Sequence, residues 1–120
     1  MALAQHLPIY KLASDLCSLA ADLTKNMRRE FKRTLGEKLL TECIEVTIQI
    51  FRANTAEGTE RVRHIQESRG RVEVVEVRRR LALEKQLIGA SQYARSIEIT
   101  DPLGRQATGW KKHAATSPAA

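Results

Sequence analysis

Between residues 34 and 54 apolar side chains recur at three- and four-residue spacing, the period of a helix face. Leu35, Leu39, Cys43, Val46, Ile50 and Ala53 make one face; Leu40, Ile44, Ile48 and Phe51 make a second beside it. Only Glu42, Glu45, Gln49 and Arg52 are left for water. A helix apolar over that much of its girth is covered on more than one side. A chain of 120 residues has little with which to cover both faces from within, so the pattern predicts a helical bundle that assembles with itself. Thr34 and Glu37 form a T-x-x-E capping box at the start.

The same period predicts a helix over 7–25, with Ile9, Leu12, Leu16, Leu19, Ala20 and Leu23 inward and Pro8 in its first turn. A short basic connection, 26–33, carries Met27 and Phe31 as apolar anchors. Gly58 breaks the second helix, and Thr59 is the expected N-cap of a third over 60–88. In that helix Val62, Ile65, Val72, Leu83 and Leu87 fall together, and Val74, Val77, Leu81 and Ile88 form a second cluster. His64, Glu67, Arg71, Arg78 and Lys85 make a polar ridge opposite. A fourth helix starts near Ser91 and carries Tyr93, Ile97, Leu103 and Trp110. At Thr100-Asp101-Pro102 it either restarts, with Asp101 as cap, or kinks. Residues 113–120 read as a disordered tail. The expected fold is all-α: one domain over 1–112, an up-down-up-down antiparallel four-helix bundle.

Composition adds two constraints. No apolar run approaches the roughly 20 residues that cross a bilayer, and the N-terminus lacks the pattern of a secretory signal. Cys17 and Cys43 fall on apolar faces without metal-like spacing, which reads as buried free thiols in a reducing cytoplasm. The net charge of +6 is lopsided: residues 1–60 hold 8 Lys+Arg against 8 Asp+Glu, and 61–120 hold 12 against 6. Uneven, arginine-rich charge is what a polyanion-binding surface needs, and equally what a solvated helix face can carry.

No arrangement of residues points to catalysis. Glu60 and Glu67 flank His64 at helical spacing, but no second helix supplies the matching set a di-metal bundle requires, so these read as surface charges. His6 and His113 lie in terminal segments. Neither cysteine has a histidine nearby in sequence, and Gly104 and Gly109 do not make a phosphate loop. No enzyme, metal or cofactor is expected. The nucleic-acid candidates are stronger. Arg28, Arg29, Lys32 and Arg33 lie within six residues at one bundle end, anchored by Phe31. Arg71, Arg78 and Lys85 recur every seven residues on the third helix and would form a basic band if repeated around a ring. Trp110 reads as a core or interface anchor, with Lys111 and Lys112 facing solvent or phosphate.

Several segments occur in the order and spacing of one family: LPIYKLASDL at 7–16, KRTLGEKLL at 32–40, IFRAN at 50–54, Arg80-Leu81-Ala82, and GRQATGWKK at 104–112. On these the chain resembles the Avd-like proteins, the accessory variability determinants of diversity-generating retroelements. The NTAEG stretch at 54–58 is also similar to the four-helix proteins encoded in intervening sequences of large ribosomal RNA genes. The first resemblance implies a homopentameric barrel of four-helix bundles with a basic surface. It implies binding of RNA and RNA–DNA hybrid, docking of the element's reverse transcriptase, and no enzymatic activity of its own. Arg80, which matches the family's Arg-Leu-Ala segment, reads as structural, pairing with a carboxylate across an interface. Pro102 and the basic run Val77-Arg78-Arg79-Arg80 depart from the family pattern.

Overall fold

Helix α1 (Pro8–Lys25) starts on its proline, whose missing N–H costs nothing at that position. In the computed structural model, which describes residues 7–116, three more long helices follow: α2 (Glu37–Thr55), α3 (Gly58–Glu84) and α4 (Ala90–Thr116). The described residues are all-α and contain no strand. The helices lie lengthwise in a body of 49 × 21 × 21 Å. α1 packs on α2 and α4, and α3 packs on the same two, so the four close around a common core. Gln49 meets His64 and Glu42 meets Arg71, an order that requires α2 and α3 to run in opposite directions.

The main core takes Ile9, Ala13 and Leu16 from α1, Cys43, Val46 and Ile50 from α2, Ile65 and Val75 from α3, and Leu103 and Ala107 from α4. A smaller cluster, Leu23, Met27, Leu35, Ala82 and Ile88, fills the end where α1 turns toward α2. The first apolar face of α2 is buried in full. Its second face is not: Leu40 and Ile48 are half-buried, and Ile44 and Phe51 are exposed. Gln49, expected in water, is buried and shares a 2.7 Å hydrogen bond with Nδ1 of His64. Cys43 is buried, and burial together with nearby Cys17 pushes its thiol up to about 12. Cys17 is half-buried, 3.3 Å from the Thr47 hydroxyl. No helix among the described residues is long and apolar enough to cross a membrane.

On α3 the buried stripe is Ile65, Ser68, Val72, Val75, Arg79 and Ala82. Val77, at 70% exposure, and Leu81 lie outside it, while Ile88 joins the smaller core cluster. The expected polar ridge does not stand opposite the core. His64 and Arg71 are half-buried and meet α2, because hydrogen bonds to Gln49 and Glu42 satisfy them there.

Several boundaries differ from expectation, each for a local reason. Thr34 is no cap: the chain re-enters helical geometry at Arg29–Phe31 and continues as a π-helical segment, Lys32–Gly36, into α2. The amides a cap would satisfy are already bonded, and the Thr34 hydroxyl instead approaches the Glu30 carbonyl at 3.4 Å. Thr59 is no cap either, since α3 begins one residue earlier on Gly58, with Glu57 before it. The turn before α3 is held from above. Nε of Arg61 donates to the carbonyls of Ala53 and Ala56, both at 3.0 Å, and Nη2 to that of Asn54 at 3.3 Å, capping the end of α2. Helix α4 runs through Pro102 without interruption. The carbonyl that loses its donor belongs to Glu98, an exposed residue that water can serve. α4 also continues past His113 to Thr116 with Ala114 buried, so residues 113–116, expected in a tail, are helix. Residues 117–120, and His6, lie outside the described residues.

α3 ends before residue 88. The amide of Leu87 donates to the Ala82 carbonyl (2.8 Å) and that of Gln86 to Leu83 (3.0 Å), with Gln86 at φ 57°. This is a Schellman ending with glutamine in the left-handed position where glycine is usual. Gln86→Gly therefore removes strain. It is expected to stabilise the chain by about 1 kcal/mol, read as a higher denaturant midpoint with an unchanged slope.

Candidate nucleic-acid interface

The connection from α1 to α2 is shaped by a close crossing. A Cβ on Gly36 would lie 2.8 Å from Cγ2 of Thr24 and 3.0 Å from Sδ of Met27, so only glycine fits against α1 there. The Thr24 hydroxyl sits 2.8 Å from the Ala20 carbonyl and 2.9 Å from that of Gly36, and can donate to either. Met27 and Leu35 are buried below. With the apolar side of the segment fixed, its cations face outward. Thr24, Lys25, Arg29, Lys32, Arg33 and Glu37 line one concavity at this end of the molecule. Four cations stand there against one carboxylate, all five exposed. They also neighbour the C-terminal, partly negative end of α1, which favours positive charge.

The sequence singled out Arg29, Lys32 and Arg33; the fold adds Lys25 and leaves Arg28 outside. Arg28 lies over the Phe31 ring at 5.4 Å, pairs with Glu30 at 3.6 Å, and donates through Nη2 to the Lys85 carbonyl at 3.4 Å. Phe31 is thus half-buried under a guanidinium, and Met27 is the residue that anchors the connection. Lys85 falls past the end of α3 and beside the basic connection. Glu37, expected in a capping box, is instead the single acid of the concavity.

The other candidates are scattered. Arg71 is held between Glu42 and Glu67, at 3.4 Å from each, which leaves little charge for a phosphate. Arg78 is half-buried. Lys111 and Lys112 belong to the last turns of α4, at the end of the molecule away from the start of that helix. Trp110 is partly buried against the main core. Arg80 is exposed beside Glu84 of its own helix at 3.4 Å, whereas the inward arginine is its neighbour Arg79. A band along α3 is therefore not what the geometry offers; a compact cationic end is.

Two arginines and two lysines around one hollow can take phosphate oxygens, the arginines bidentately. The ring of Phe31, beside the hollow, has the Arg28 guanidinium over one face, which is therefore not open to a base. The arrangement suits contact with a phosphate backbone more than base readout. Elsewhere Glu60 is bound to Arg63 at 2.7 Å, which holds its carboxyl below the ordinary range. Among the described residues no group of three or more histidine, cysteine or acidic side chains is placed to hold a metal ion.

The fold and this surface define a four-helix protein with a cationic end. No protein-family model matches the chain, and no curated protein or solved structure matches it.

Proposed function

We propose that this chain is a non-enzymatic accessory protein of a diversity-generating retroelement, binding RNA or RNA–DNA hybrid and docking a reverse transcriptase. The cationic hollow of Lys25, Arg29, Lys32 and Arg33 carries the reading. It gives the nucleic-acid contact a physical basis, and two of its cations, Lys32 and Arg33, lie in the KRTLGEKLL segment on which the family resemblance rests. The mechanism is electrostatic scaffolding: phosphates of template or primer are held at the cationic end while apolar surface meets protein. Two apolar surfaces support assembly as a ring of copies, five by resemblance. Ile44 and Phe51 are exposed on α2, and Val77 and Leu81 on α3.

Binding of the purified chain to a structured RNA across a salt series, with duplex DNA as control, tests the reading. Contact with three or four phosphates is expected to give a slope of log affinity against log salt of about −2 to −4. A flat or absent response would remove the nucleic-acid role and leave a scaffold acting through protein contacts, as in the intervening-sequence type of bundle. A neighbouring reverse transcriptase gene with paired template and variable repeats is the genomic mark expected of the first reading alone.

A further inference from the structure

Arg79 is the least expected residue of the core. It occupies a position of the buried stripe of α3 and is 7% exposed. Nη1 donates to Oγ1 of Thr100 at 2.6 Å, and the guanidinium lies over the Tyr93 ring at 5.5 Å. Nε is buried and has no acceptor. Among the described residues no carboxylate lies within ion-pair distance, and no other hydrogen bond reaches this guanidinium. Arginine stays charged inside proteins, so the chain has buried a cation and answered it with one hydroxyl and one ring face. That leaves the charge undercompensated, since a buried ion normally needs a partner of opposite sign with its donors satisfied.

The missing partner has a place to go. A groove between α3 and α4 has Arg79, Val72 and Thr100 along its length, with Gly104 opening one wall. Only Nη1 is engaged, and a guanidinium has further N–H donors to give to a carboxylate. The Thr100 hydroxyl accepts from Arg79 and has no other partner among the described residues, so its own proton can be donated. The rim settles which oxyanion fits. Arg69 and Arg105 stand there with Glu73, Glu76 and Asp101, and Arg105 is already bound to Asp101 at 2.8 Å. A phosphate dianion or a nucleic-acid backbone would face those acids, while a single carboxylate adds one negative charge against the buried positive one.

We propose that the α3–α4 groove over Arg79 is a carboxylate-binding site, in which the Arg79 guanidinium and the Thr100 hydroxyl hold one carboxylate. A small organic acid or an acidic side chain of a second copy of this chain presents the same group. The site stands apart from the cationic end, so it does not depend on the RNA-binding reading.

Thermal unfolding of the full chain in sodium acetate, against sodium chloride at matched ionic strength, tests the free-acid source. The wild type is expected to gain a saturating rise in midpoint of about 3 °C. Arg79→Met starts at or above the wild-type midpoint in chloride and does not respond to acetate; Thr100→Val responds weakly. Sedimentation velocity over a range of protein concentrations tests the second source. Association that is present in the wild type, absent in Arg79→Met and competed away by acetate marks a carboxylate from another copy. If acetate acts equally on wild type and Arg79→Met, and no association depends on Arg79, the proposal is wrong.

Discussion

A chain carrying Arg29→Glu, Lys32→Glu and Arg33→Glu is expected to lose RNA affinity by on the order of 100-fold at about 0.1 M salt, with its helix content and unfolding midpoint nearly unchanged. All three side chains are exposed and line the same hollow, so reversal changes its field without touching the core. Four cations against one acid become one cation against four acids. The loss should shrink at high salt, because screening weakens repulsion and attraction alike. The matched control is Lys111→Glu with Lys112→Glu, at the far end of α4, which should leave affinity close to wild type. Equal losses from both sets would mean that net charge, and not the hollow, governs binding. Filter binding or fluorescence anisotropy with one RNA across both variants decides the matter.

Gly36→Val is expected to be the most damaging exchange of a single glycine. It costs about 2–3 kcal/mol from overpacking, which lowers the midpoint by about 10 °C for a chain of this size. The backbone at Gly36 is ordinary helix, φ −62°, so the cost is not conformational. It comes from Thr24, whose methyl already stands where a new Cβ would go and whose short side chain cannot swing clear. Gly36→Ala should cost less, because the alanine helix preference of about 1 kcal/mol offsets part of the clash. Gly70 and Gly104 provide the opposite case. A Cβ at either meets nothing within 4 Å, so replacement by alanine at each should stabilise by about 0.5–1 kcal/mol. Differential scanning calorimetry on the four variants reads both signs. A Gly36→Val chain as stable as wild type would mean that the crossing is looser than these distances imply.

The buried face of α2 was legible because six apolar residues at helical spacing admit one inward direction, and all six are buried. The bounds of α1 were legible because proline and a clean stripe bracket it. What escaped the sequence was rotation and ending. Adjacent helical residues differ by about 100°, so Arg80, expected in a structural pair, stands exposed while its neighbour Arg79 is buried. On α3 valines and arginines occur on nearly every side, and the neighbouring helices decide which are covered. The end of that helix was hidden because a left-handed glutamine leaves no glycine signal. Lys25 was overlooked as a site residue because it reads as the last polar position of a stripe; the folding back of 29–36 makes it one wall of a hollow. The second apolar face of α2 was legible as a stripe, and the fold leaves Ile44 and Phe51 on it exposed.

The π-helical turn at Lys32–Gly36 has a consequence for how the chain tolerates changes in length. Such a turn is an α-helix holding one residue more than its ladder needs. Deleting a single residue from it lets the ladder close as ordinary α-helix and leaves α2 in register with the core. The segment before the deletion keeps nearly the same facing, because the wide turn had already absorbed the surplus residue. Arg29 would stay at the mouth of the hollow while every core residue of α2 kept its place. The same deletion made inside α2 itself would swing the cations by about 100° about the helix axis, so this short stretch is where the chain can lose a residue without losing their aim.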